Sequence, residues 1–188
     1  MKNFLCLIIC VLVIVSAVLS GCDKKEKKDL GGATPEEVVE KFHKADSETD
    51  IYGVLLCFAD FNVYEYALFL DLPVNADRKT VAKEYEKYEK AEISTNEDNY
   101  NSYVEEMKSH ICEDIQEAEI FEQTDDMFES YCNSISYYIE MGGKTIQDFN
   151  IEAFAEVLHY HSWNKRYYYA LCVKVDGRWF LVEDTPSP

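Results

Sequence analysis

His159 and His161 are the sharpest pair of side chains in this 188-residue chain. If the segment around them is extended, alternate residues share one face with Cα atoms about 7 Å apart, which suits two ligands of one metal ion. Glu156 would point the other way, and spacing names no third ligand. The expectation is therefore no metal, with His159 and His161 the two candidates should one bind. Imidazole is also the usual general base near neutral pH, and tyrosine hydroxyls could orient a substrate beside it. Cys57, Cys112, Cys132 and Cys172 allow three full disulfide pairings, and the sequence does not choose among these and buried free thiols. Their spacing matches no zinc motif, and no activating neighbour marks a nucleophile. The acidic groups Glu97-Asp98-Asn99, Glu113-Asp114 and Asp125-Asp126 lack the alternation and central glycine of a calcium loop. There is no glycine-rich phosphate loop, nucleophile elbow or paired-histidine helix. No cofactor is expected, and a binding module is favoured over an enzyme.

Cys22 is a cysteine of a different kind. It follows a basic start (Met1-Lys2-Asn3), an unbroken apolar run from Phe4 to Val15, and Leu19-Ser20-Gly21. That order is the pattern of a secretory signal peptide. Leu19-Ser20-Gly21-Cys22 resembles the lipobox of bacterial lipoproteins. The resemblance implies lipidation of the Cys22 thiol, cleavage before it, and a protein held by its lipid on the extracytoplasmic face of a bacterial membrane. The predicted organisation is a signal peptide over 1–21, a lipidated cysteine and charged tether over 22–32, and one domain over 33–188. The tether has no apolar side chain to bury until Leu30, and its Gly31-Gly32 pair adds freedom.

Residues 33–188 carry 33 acids against 13 bases, a net of −20. Such a surface excludes nucleic acid, whose binding depends on neutralising phosphate. It leaves a small ligand or a basic protein as partners besides the membrane, including the reading of an acidic inhibitor.

The elements that must position these residues are mostly legible. Thr34-Pro35-Glu36-Glu37 starts a helix with a cap, a proline at the first position and a capping-box glutamate. Val38, Val39 and Phe42 give it an apolar stripe, and it should end near Asp46. A second helix begins at about Glu48 to Asp50 and carries Ile51, Val54, Leu55 and Phe58. Phe61 to Leu72 is ambiguous between helix and strand. Lys79 to Ile93, Tyr100 to Ile115 and Asp125 to Met141 follow helical spacing. Ile151 to Tyr160 suits either a strand or a helix. Arg166 to Val175 and Arg178 to Glu183 flank Asp176-Gly177, the strongest hairpin signal in the chain.

A two-residue turn sets Val175 opposite Arg178, Lys174 opposite Trp179, Val173 opposite Phe180 and Cys172 opposite Leu181. Both faces of that hairpin are largely apolar. One should join the core; the other should either border a pocket, whose wall would include Trp179, Leu181 and Tyr168 or the opposite-face Phe180 and Val182, or be closed over by the middle helices. The N-terminal pattern Thr34 to Phe42 and the ending Val173-Lys174-Val175-Asp176-Gly177-Arg178-Trp179 resemble small bacterial lipoproteins with a nuclear-transport-factor-2-like (cystatin-like) domain. That resemblance implies helices packed into the hollow of a curved antiparallel sheet. The fold class is thus expected to be α+β: N-terminal helices on a C-terminal antiparallel sheet, with an additional helical middle region over 77–141. The expected function is a membrane-anchored, extracytoplasmic, non-enzymatic binding or interaction module.

Overall fold

The computed structural model describes residues 30–93 and 97–187. The expected signal peptide, Cys22 and most of the expected tether lie outside the described residues. Gly31–Pro188 forms one compact unit. Among the described residues it is an α+β fold with six helices and a five-stranded antiparallel sheet in the C-terminal half.

Helix α1, Pro35–Ser47, begins where its sequence dictates. The Thr34 hydroxyl accepts from Glu37 N at 3.2 Å. The Glu37 carboxylate reaches back one residue further than in a standard capping box, to Ala33 N at 2.7 Å. Helix α2, Ile51–Cys57, is capped by Asp50, which accepts from Gly53 N. The ambiguous aromatic stretch is helix α3, Asp60–Phe69, ending before Pro73. Helix α4, Arg78–Ile93, places Val81 and Ala82 in the core. Its first residue secures α2, since the Arg78 guanidinium donates to the carbonyls of Leu55 and Phe58 and pairs with Asp60 at 2.7 Å.

The helical spacing over Tyr100 to Ile115 overruns the helix it predicts. Helix α5, Glu97–Met107, stops in a turn. The chain then adds two short strands, β1 (Cys112–Glu113) and β2 (Glu119–Glu122), to one edge of β3, Ile151–His161. Sheet pairing, which the local pattern cannot report, overrides helical periodicity here. Helix α6, Asp126–Met141, follows, and Gly143 at φ +66° takes the left-handed position after it.

Strands β4 (Arg166–Val175) and β5 (Arg178–Pro186) complete the sheet. All four expected cross-strand pairs occur, and both Asp176 and Gly177 have positive φ, as a primed turn requires. Beyond Cys172 the register departs from a regular ladder. Leu171 faces Glu183 and Ala170 faces Asp184, so Val182 is the extra residue of a bulge. Asn62, buried on α3, donates to the Val182 carbonyl at 3.2 Å and occupies the acceptor that the bulge exposes.

The concave face of the sheet carries Ala153, Ala155, Val157, Ala170, Cys172, Trp179 and Leu181, all buried. Three alanines at its centre leave room for α1 to approach, and Val38 and Val39 fill that space. Leu55 of α2 and Val81 of α4 extend the same core. Each fully buried aliphatic side chain contributes about 1.5–3 kcal/mol. On the other face, Phe154 of β3 packs against Phe128 and Tyr131 of α6 at ring separations of 5.3 Å. Leu171, Val173, Phe180 and Val182 are buried on this face too, so the doubly apolar hairpin is covered on both faces apart from Tyr169.

Gly31 and Gly32 are held rather than free. Gly32 exchanges two backbone hydrogen bonds with Trp179, and Gly31 N donates to Leu56 O. Gly31 has φ +61°, and a Cβ there would lie on the Trp179 carbonyl. Gly31→Ala should lower stability by about 2–3 kcal/mol, from left-handed strain plus a clash with backbone. Urea unfolding of the two proteins measures it.

Candidate metal centre

Four side chains from three elements converge at one end of the concave face: His43 of α1, His159 and His161 of β3, and Asp184 of β5. Each is placed by an identifiable local cause. His43 follows Val39 by one helical turn, so it continues the buried face of α1. His159 and His161 are alternate strand residues and share the face that Val157 and Ala155 give to the core. Asp184 owes its position to the bulge. An unbroken register would set Glu183 opposite Ala170; the extra residue puts Asp184 there instead, on the same face as Leu181 and Trp179.

The Nε2 atoms of His43 and His159 are 3.0 Å apart, as are those of His159 and His161. The Asp184 carboxylate lies 3.4 Å from His43 Nε2, 3.3 Å from His159 Nε2 and 3.6 Å from His161 Nε2. Four donors around one ion at bonds of about 2.0–2.1 Å stand about 3.3 Å from one another at the edges of a tetrahedron. These five separations lie about that value, and all four donors fall within 4.8 Å of one another, so the widest pair would have to draw in for both to bond one ion. A hydrogen-bonded histidine–aspartate network would instead draw its charge-assisted contacts to about 2.7–2.9 Å. Asp184 Oδ1 is buried and lies 3.3 Å from His159 Nε2, longer than a charge-assisted hydrogen bond.

The electrostatics keep the donors ready. Burial pushes His43 down to about 3; the neighbouring imidazoles push the same way, against the opposing pull of Asp184. His43 is thus neutral at pH 7, with a lone pair to give. Burial by itself would raise Asp184, but the hydrogen-bonding and charge of His159 and His161, with the charge of His43, outweigh it and hold the carboxyl at about 2. His159 Nδ1 lies 3.3 Å from the Val157 carbonyl. A carbonyl only accepts, so the ring proton sits on Nδ1 and Nε2 is free to ligate, the outer-sphere arrangement usual for metal-bound histidine. A cation at the point where these groups converge would sit in a desolvated site, where its attraction to the Asp184 carboxylate is strong.

These pKa directions carry a sign for the metal-free protein. The unfolded chain takes up the His43 proton near pH 6.5, the folded one only near 3. Stability should therefore fall as pH drops from about 6.5 toward 3, with Asp184 adding a loss between 3.8 and about 2. Urea midpoints across that range in chelator should show the fall, and His43→Phe should flatten its upper part.

The centre is open on one side. A recess of about 240 Å³ reaches His43, His161 and Asp184, and its mouth is formed by Asp46, His110, Trp163 and Tyr168. His159 has no exposed surface and lies behind them. Tyr168 stacks on His161 at 4.0 Å and Trp163 on His110 at 4.4 Å. Trp163 Nε1 also lies 3.3 Å from His161 Nδ1. Indole nitrogen only donates, so Nδ1 accepts here. Ligation through Nε2 would leave a proton on Nδ1 and displace the indole. Trp163 is 48% exposed and can move, whereas Trp179 is buried. Metal addition should change the tryptophan emission, and Trp163→Phe should abolish that change.

The residues singled out by sequence divide. Of the candidate pocket wall, Tyr168 lines the recess, while Trp179 and Leu181 are packed against α1 and α2 in the core. His159 and His161 do point to one face, and the structure adds the two donors that spacing could not supply, His43 and Asp184. Cys57, Cys112, Cys132 and Cys172 are free thiols. Burial pushes Cys57 and Cys112 up to about 12 and raises Cys132 and Cys172, so none is an activated nucleophile. No helix among the described residues is long and apolar enough to cross a membrane. Comparison with protein-family models, curated proteins and solved structures finds no match to this chain.

Proposed function

We propose that this protein is a lipid-anchored extracytoplasmic lipoprotein whose α+β domain binds one divalent transition-metal ion on His43, His159, His161 and Asp184. The observation that carries the metal reading is the convergence of three imidazoles and one carboxylate, with all four donor atoms within 4.8 Å of one another and five of their separations at 3.0–3.6 Å. Three nitrogens and one oxygen in that geometry suit Zn²⁺; Cu²⁺ binds such donors strongly but prefers a tetragonal plane, and Mg²⁺ or Ca²⁺ would want more oxygens. His159 and His161 then serve as ligands rather than as general bases. The net charge of −20 over residues 33–188 draws cations toward the domain. The lipobox at Cys22 supports the anchor, and helices set in the hollow of the sheet support the cystatin-like resemblance.

The experiment is elemental analysis and mass spectrometry of the full-length protein extracted from bacterial membranes. One zinc per chain and an acylated N-terminus at Cys22 are expected. Substoichiometric metal after zinc supplementation rejects the first half of the reading, and an unmodified Cys22 rejects the second.

A further inference from the structure

A second cavity, of about 180 Å³, lies among the helices on the far side of Phe42 and Asp46. Its wall is a chain of rings: Phe42, Phe58, Tyr66 and Tyr85, with successive centroids 5.6–5.9 Å apart. Two carboxylates, Asp46 and Glu89, enter it from opposite helices, and Tyr103 of α5 donates its hydroxyl to Glu89 at 3.1 Å. Among the described residues no lysine or arginine lines it.

Each component calls for a positive ligand of a particular kind. Ring faces attract a cation through their quadrupole and favour one with an apolar, weakly hydrated surface. Carboxylates in such a site lack the solvation they have in water and gain from a cation brought beside them. Burial raises both Asp46 and Glu89, with His110 the leading opposing charge at Asp46 and the Tyr103 hydrogen bond the leading opposing effect at Glu89. A bare metal ion would leave the rings unused, and a neutral apolar molecule would leave the acids uncompensated. The volume admits a ligand of only a few heavy atoms.

We propose that this cavity binds a small organic ammonium ion, with Phe58, Tyr66 and Tyr85 against its carbon surface and Asp46 and Glu89 beside its charge. The site stands independently of the zinc reading, although Asp46 also borders the metal recess.

Calorimetric titration of the full chain in detergent, with zinc saturated and with zinc removed, tests it. The probes are choline, butylamine and 3,3-dimethyl-1-butanol, the last a neutral isostere of choline. At least one ammonium probe should bind one-to-one with Kd below about 1 mM, and the alcohol at least about tenfold more weakly. The stronger of choline and butylamine identifies a quaternary or a primary ammonium ligand. Glu89→Gln and Tyr85→Ala should each weaken binding about tenfold. In the unmodified protein the ring resonances of Tyr66 and Tyr85 should shift on binding, a readout that needs no variant to fold. Four results overturn the proposal: no saturable ammonium binding, equal affinity for the alcohol, Glu89→Gln binding as tightly as the parent, or displacement of choline by a second equivalent of zinc.

Discussion

Asp184→Ala is expected to lower zinc affinity at least about 100-fold, since even outer-shell partners of metal ligands are worth about 10–100-fold. The bulge supplies the control. Glu183, its neighbour, pairs with Leu171 and is exposed, so Glu183→Ala should leave zinc affinity unchanged. A chain without the Val182 bulge would reverse the two results. His159→Ala should lose zinc as Asp184→Ala does, but it also opens a hole in the most buried part of the site. The aspartate variant is therefore the cleaner test. Isothermal titration of the three proteins settles the ordering.

Zinc saturation should raise the thermal midpoint strongly. An ion at about 1,000 times its Kd adds about 4 kcal/mol to the folded state if the unfolded chain does not bind it. For a domain of this size 1 kcal/mol moves the midpoint about 2–4 °C, so the rise should be about 8–16 °C. Three of the ligands lie on β3 and β5 and the fourth on α1, so the ion ties the first helix to the end of the last strand. Chelator should lower the melting temperature of the zinc-loaded protein and leave Asp184→Ala unaffected. Differential scanning calorimetry with and without chelator reads the difference.

Much of the scaffold was legible because single residues force it. Thr34 and Pro35 start α1, and Asp176-Gly177 fixes four cross-strand pairs in register. The two strands at 112–113 and 119–122 were not: the first lies inside a run of helical spacing that reaches Ile115, the second is only four residues long, and the edge of β3 decides both. The site was half legible. Strand alternation brings His159 and His161 together from the sequence alone. His43 was hidden within an apolar helical stripe; its signal was an imidazole one turn after Val39, at a position that had to be buried. Asp184 carried no signal. Its orientation depends on a one-residue bulge, and a one-residue slip exchanges the two faces of a strand.

Zinc K-edge X-ray absorption of the zinc-loaded protein tests the central claim most directly. The account predicts a four-coordinate shell of nitrogen and oxygen at about 2.0–2.1 Å, with the outer-shell scattering of three imidazoles. A shell containing sulfur at about 2.3 Å, or fewer than three imidazoles, would contradict it.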